Sequence, residues 1–246
     1  MRNIKLIVSY DGTDFNGWQT QPGRRTVQET LEQAIAALTG APARANASGR
    51  TDTGVHAVGQ VVNFTSSTAL APEVLVRALN AHLPADVVVK EAADVPPDFD
   101  ANRSARRKLY RYVIHDGTVP DLFLRRYCCR SRHRLDAAAM RRAAAPLVGR
   151  HDFRCFETEW PNRASSVRTI THLAVSRLGD WIWLDVEADG FLYNMVRAIA
   201  GTLMNVGRGY WPEGQVATIL EAGDRTLAGP TAPAAGLFLM RVTYDG

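Results

Sequence analysis

At 246 residues the chain can build one large domain or two small ones, and with 46% hydrophobic and 22% charged residues it has the composition of a globular protein with a real core. No run of about 20 apolar residues occurs, which argues against a membrane span. The N-terminus turns polar again by Ser9 and lacks the apolar stretch and cleavage site of a secretory leader, so a cytoplasmic protein is expected. The net charge of +4 is unevenly spread: Asp100 to Arg150 holds thirteen Lys or Arg against four Asp, while the rest holds sixteen basic and twenty-one acidic residues. A local polyanion-binding face on a mildly acidic body follows from that clustering.

In chain order, Ile4 to Tyr10 alternates as a strand and ends in the polar turn Asp11-Gly12-Thr13-Asp14. Thr26 and Glu29 form a capping-box pattern ahead of Val27, Leu31, Ala34, Ile35 and Leu38 on one helical face, and Gly40 and Pro42 stop that helix. A weak strand over Ala43 to Ser48, a stronger one over Val55 to Phe64, a helix from Pro72 to Ala81 and a strand from Val87 to Lys90 complete the first half. A strand from Lys108 to His115 opens the second half, and Asp136 is placed to cap a helix running to Leu147. Strands over Ser166 to Arg177 and Trp181 to Glu187 flank the Gly179-Asp180 turn. An apolar helix from Phe191 to Val206, a shorter one from Pro212 to Glu221 and a strand from Leu237 to Tyr244 follow. The second half repeats the order of the first with one extra helix, giving an α+β fold of two similar half-domains, residues 1–104 and 105–246, with the boundary near Pro96 and Pro97.

Three cysteines, Cys128, Cys129 and Cys155, make no disulfide framework. The adjacent pair reads as two reduced thiols on opposite faces of a strand, the alternative being a strained vicinal bridge. The six histidines show no i, i+4 pair and no Cys-x-x-Cys companion, so no metal site is expected.

The densest chemical signal is the loop Gly49-Arg50-Thr51-Asp52-Thr53-Gly54-Val55-His56-Ala57 between two strands. Its glycines permit tight backbone geometry, and the polar residues between them have no evident packing role. An Asx-turn, with Asp52 bonding its own loop, is the plain structural alternative. Asp52-Thr53-Gly54 also matches the aspartic-protease triplet, but that chemistry needs two carboxylates sharing a proton, and only one such triplet occurs, with Arg50 two residues away. A nearby cation favours an ionised carboxylate, suited to act as nucleophile or base.

Arg197 lies in the apolar helix beside the face formed by Leu192, Met195, Val196, Ile199 and Leu203, stacked between Tyr193 and Gly201. A guanidinium near a core calls for a carboxylate partner, although a purely structural ion pair or snorkelling meets the same demand. The stretch Arg103-Ser104-Ala105-Arg106-Arg107-Lys108-Leu109-Tyr110-Arg111-Tyr112 combines basic residues with two aromatics, as suits phosphates and a stacked base. As a strand it puts Tyr110 and Tyr112 on one face and Arg111 on the other, which also describes a solvated edge strand.

These segments together resemble the tRNA pseudouridine synthase A (TruA) family, over nearly the whole chain. The likeness is carried in order by Asp11-Gly12-Thr13, Gly17-Trp18-Gln19, the Gly49–Ala57 loop with Gly59-Gln60-Val61, Lys108–Tyr112, Gly149–Phe153, Asp189–Arg197, and Gly229–Ala234 leading to Gly236-Leu237. The resemblance implies two ferredoxin-like halves with a mixed, mainly antiparallel central sheet and a cleft between them. It implies isomerisation of uridine at tRNA positions 38–40 in the anticodon stem-loop, without cofactor, by a homodimer. By position, Asp52 matches the essential aspartate, Tyr110 the tyrosine that stacks on the target base, Arg197 the basic partner of the aspartate, and Arg50 a loop arginine that assists flipping. Arg106, Arg107 and Lys108 are the expected phosphate contacts. Asn102 departs from the pattern, where an arginine is common. The competing class is a non-catalytic RNA-binding module of ferredoxin-like order, which needs no such aspartate loop.

Overall fold

The computed structural model describes residues 1–158 and 165–245. These form two compact units, one of residues 1–106 with 238–246 and one of residues 107–237. Both are α+β, with strands that pair mainly antiparallel.

In the first unit β1 (Arg2–Tyr10) lies between β3 (His56–Ser66) and β4 (Val87–Val95), antiparallel to both. The two-residue β2 (Asn46–Ala47) pairs with β3. The last strand, β10 (Leu237–Tyr244), pairs parallel to β3 through Phe238 opposite His56 and Leu239 opposite Ala57. Alternation along β1 buries Ile4, Leu6 and Val8 completely against Leu31 and Ile35 of α1 (Val27–Thr39) and Leu75 and Leu79 of α2 (Pro72–His82). Each such side chain contributes about 2–3 kcal/mol by leaving water. The cap half of the predicted capping box forms: Thr26 accepts a hydrogen bond from the Glu29 N–H at 3.4 Å, and Gly40 ends α1 at φ 72°, where a side chain would be strained. The weak strand predicted over Ala43 to Ser48 shortens to β2, where Asn46 and Ala47 pair with β3 and the Ser48 N–H adds one further bond to the Val61 carbonyl at 2.8 Å.

In the second unit β5 (Ala105–His115), β9 (Trp181–Ala188), β8 (Val167–Leu178) and β7 (Gly149–Asp152) pair antiparallel in that order, and β6 (Cys129–Arg130) adds parallel to the end of β5. Helices α3 (Ala137–Ala144) and α4 (Met195–Gly207) pack against each other, and α5 (Gln215–Ala222) adjoins α3. Asp136 caps α3 through bonds from the Ala138 and Ala139 N–H groups at 2.8 and 2.9 Å, but the α-helix ends at Ala144 and continues to Leu147 as a 3-10 turn through Pro146. Proline cannot donate the bond that would extend it.

Helix α4 begins four residues later than the periodicity predicts, because Asn194 stands at φ 60° and breaks the helical path. Tyr193 therefore precedes the N-cap and lies outside the helix that carries Arg197. The shorter helix starts at Gln215 rather than Pro212. Cys129 begins β6 and Cys128 precedes it; both are buried free thiols, not opposite faces of one strand.

The second unit is tied at one end by Asp116, whose carboxylate is wholly buried. Arg177 donates to both its oxygens at 3.0 and 2.5 Å, Arg134 to one at 3.1 Å, and the Leu135 N–H to the other at 2.9 Å. Burial by itself would raise the Asp116 pKa, but these bonds and the two guanidinium charges outweigh it and hold the carboxyl below the ordinary value. A depressed carboxylate stabilises the fold above its unfolded pKa and loses that contribution as pH falls through its folded one. Asp116→Asn is expected to cost about 3 kcal/mol in urea unfolding at pH 7, by stranding Arg177. The gap from the parent should close below about pH 4; a constant gap down to pH 3 would rule out the ionic contribution.

Candidate active site

The Asp52 loop is shaped by backbone contacts within the first unit. The Val55 N–H bonds the Asp52 carbonyl at 3.1 Å, closing a four-residue turn with Gly54 at φ 76° in the position that demands a positive φ. Asp52 is half-buried on this turn, and Arg50 is exposed beside it.

Residues 11–18 wrap this loop. The Trp18 N–H donates to the Thr51 carbonyl at 3.0 Å, the Gly54 N–H to the Phe15 carbonyl at 3.3 Å, and the Gly12 N–H to His56 Nδ1 at 3.1 Å. The backbones come so close that a Cβ at Gly17, already at φ 81°, would sit 2.7 Å from the Thr51 carbonyl oxygen, and one at Gly12 would run into the carbonyl of Val55. Asp11 holds its own turn by accepting from the Thr13 N–H and hydroxyl at 3.0 and 2.6 Å, and it lies 3.1 Å from His56 Nδ1. From beneath, the Tyr10 hydroxyl shares a hydrogen bond with Thr51 Oγ1 at 2.8 Å, and Gln60 donates to the Gly49 carbonyl at 2.8 Å while accepting from Ser48 Oγ at 2.7 Å. Burial pushes the Tyr10 hydroxyl up to about 12, against the opposing pull of Thr51 and Gln60, so it stays protonated at neutral pH. Local chemistry did not single out Tyr10, Gly12, Gly17, Thr51 or Gln60 as a support for this loop. For Gly12, Gly17, Thr51 and Gln60 the sequence signal was their place in the family motifs, and Tyr10 was read only as the end of the first strand.

The remaining predicted residues lie in the second unit, apart from Arg106, which belongs to the first. Tyr110 is buried to 8% exposure, its ring edge-on to Phe191 with centroids 5.0 Å apart. Tyr112 shares that face and donates its hydroxyl to the Pro233 carbonyl at 2.8 Å, while Arg111 on the other face forms a two-bond pair with Asp185 at 2.7 and 2.8 Å. Arg197 extends from the first turn of α4, donating through Nε to the Ala232 carbonyl at 2.7 Å and through Nη1 to Asn194 Oδ1 at 2.8 Å. Its backbone carbonyl in turn accepts from the Ala232 N–H at 3.1 Å, so the Gly229–Ala234 segment lies along α4. Gly201 permits that approach: a Cβ there would meet the Pro230 carbonyl.

The basic strand is partly neutralised. Arg106 pairs with Asp245 at 2.6 Å and Arg107 with Glu187 at 3.5 Å, both exposed and so weakly held. Lys108 is half-buried, and burial lowers its ammonium to about 8. Among the described residues no three His, Cys, Asp or Glu side chains gather as a metal ion requires, and no helix is long and apolar enough to cross a membrane.

The profile of the tRNA pseudouridine synthase family matches residues 6–102 and 143–245. The chain belongs to that family: it is an isomerase that converts uridine to pseudouridine in tRNA. It is 44% identical to tRNA pseudouridine synthase A of Acetivibrio thermocellus over 99% of this chain and 100% of that one. The corresponding figures are 47%, 99% and 94% for the tRNA pseudouridine synthase A of Shouchella clausii, and 48%, 96% and 90% for that of Halalkalibacterium halodurans. The protease and the non-catalytic module fall away with that membership.

Gly12→Ala is expected to cut pseudouridine formation at least tenfold and lower the melting temperature, because the added methyl displaces Val55 and with it the turn. Gly214→Ala, where a Cβ meets nothing within 4 Å, should keep full activity. Full activity in both, measured on unmodified tRNA, would show that the close approach does not position the loop.

Proposed function

We propose that this enzyme isomerises uridines 38–40 in the anticodon stem-loop of tRNA, with Asp52 as the catalytic carboxylate. Asp52 occupies the position of the family's essential aspartate, and the support for this reading is its place on a turn that neighbouring backbone holds fixed. Such pre-organisation is what a reacting group needs, since displacements of about 1 Å cost catalysis heavily. The reaction breaks the C1′–N1 bond and forms a C1′–C5 bond; the C5 proton leaves and N1 gains one. Nothing is oxidised or reduced, so neither redox partner nor energy source enters the balance.

An ionised carboxylate meets each of three opening steps: attack at C6, attack at C1′, or removal of the 2′ proton to give a glycal. All three need Asp52 charged and oriented, the task assigned here to Arg197. Its two anchoring bonds, to Ala232 and Asn194, fix the direction of its guanidinium. Tyr110, backed by Phe191, offers a ring for the flipped uracil and a hydroxyl to help remove the C5 proton. Arg50, exposed on the aspartate loop, assists extrusion of the base, which costs a few kcal/mol. Arg106, Arg107 and Lys108 contact phosphates; a phosphate beside Lys108 raises its value from about 8 and so further favours the charged form. The enzyme acts in the cytoplasm as a homodimer in which one tRNA touches both subunits.

Asp52→Asn keeps the shape of the side chain and removes its charge. Pseudouridine formation should disappear while tRNA affinity stays within about threefold; turnover by this variant would remove the mechanism. Tyr110→Phe keeps the stacking ring and removes the hydroxyl. A fall of about 10²-fold or more in kcat with little change in KM is expected for lost proton transfer, and wild-type kcat would exclude the hydroxyl as the essential acceptor.

A further inference from the structure

The connection from β5 to α3 takes no part in the site above, yet it carries the two most exposed large apolar side chains among the described residues of the second unit, Phe123 and Val119, with Leu122 beside them. Phe123 is 85% exposed, Val119 74% and Leu122 64%. The segment is nevertheless ordered by its own bonds. Asp121 Oδ1 accepts from the Phe123 and Leu124 N–H groups at 2.9 and 2.8 Å, the Tyr127 N–H donates to the Leu124 carbonyl at 2.9 Å, and β6 joins the end of β5 through Cys129 opposite Ile114. A ring held out in water by a fixed turn is costly unless something covers it.

The charge around it differs from that of the rest of the unit. Arg107, Arg111, Arg142 and Arg177 all reach carboxylates. Arg125, Arg130 and Arg132 are exposed and have no carboxylate partner among the described residues; Arg125 donates to the Leu122 carbonyl, and Arg130 to the Thr118 carbonyl at 3.1 Å. Asp121, the acid at the tip, is occupied by two backbone amides. In a twofold dimer through this segment, the patch would meet its own copy and set three of these guanidiniums from each chain against one another, with Asp121 as the single acid of the segment to offset them. A polyanion with flat faces suits both the apolar ring and the uncompensated charge.

We infer that the Val119–Arg132 segment is a second tRNA-docking element, in which Phe123 seats against a base or ribose and Arg125, Arg130 and Arg132 hold phosphates. This rests on tRNA being the substrate and is independent of which residue performs catalysis. Ile114, where β6 joins, is four residues beyond Tyr110, or about 13 Å along the strand, so the contact falls on nucleotides other than the flipped one. The segment therefore acts on affinity and choice of tRNA rather than on the chemical step.

The test uses the full chain and unmodified full-length tRNA. Phe123→Ser should raise KM and the dissociation constant about tenfold and leave kcat at saturating tRNA unchanged. Arg132→Gln should lower the slope of log affinity against log salt by about one. Both side chains are exposed, so melting temperatures should match the parent. Unchanged KM, affinity and salt slope in both variants would overturn the proposal. So would a shift toward a smaller species in sedimentation accompanying the Phe123→Ser effect, which would make the segment a subunit contact. Failure of the Asp52 assignment would show as turnover by Asp52→Asn and would leave these affinities untouched.

Discussion

The proposed catalytic turn depends on two places where backbone meets backbone too closely for any side chain to intervene. Gly12 lies against Val55 and Gly17 against Thr51, and the segment between them supplies the hydrogen bonds that a four-residue turn cannot make for itself. Tyr10 and Gln60 add support from the strands below. The consequence is a carboxylate carried on a loop with the positional definition of a strand. That fixed position stands in for the reorganisation a flexible loop would undergo at each turnover.

Electrostatics in the second unit divide into two populations. Buried or half-buried guanidiniums such as Arg177 and Arg111 are held by carboxylates and serve the fold. The +9 balance of Asp100 to Arg150 therefore overstates what a polyanion meets, since Arg106, Arg107, Arg111, Arg134 and Arg142 already have acidic partners. Surface pairs such as Arg106 with Asp245 are weak enough for a phosphate to displace the carboxylate, whereas the Asp116 cluster is not.

Local rules written in the sequence were readable where one residue enforces them. Thr26, Gly40, Pro72 and Asp136 mark helix ends at the positions where those ends occur, and the alternation in β1 and β5 correctly assigns their buried faces. What could not be read depends on partners distant in sequence. The strands β6 and β7 are too short to show a period and exist because β5 and β8 offer edges to them. The late start of α4 follows from a left-handed Asn194 inside a run that is helical by pattern. The Asp52 loop stood out by composition, but an Asx-turn and a catalytic turn look alike in sequence, and the glycines that hold the loop in place lie more than thirty residues upstream.

The strand β10 has a temporal consequence. It belongs to the first unit, pairs with the start of β3, and lays Phe238 flat on His56 with ring centroids 4.7 Å apart. A ribosome makes it about 130 residues after the rest of that unit, a delay of roughly 10 s at ordinary elongation rates. Throughout that interval the nascent chain carries an open border on β3 beside the Asp52 loop, with Phe238 not yet stacked on the imidazole. The first unit is thus incomplete until synthesis has passed through the whole second unit, and a chain stalled before Phe238 would hold the Asp52 loop yet leave His56 without its stacked ring.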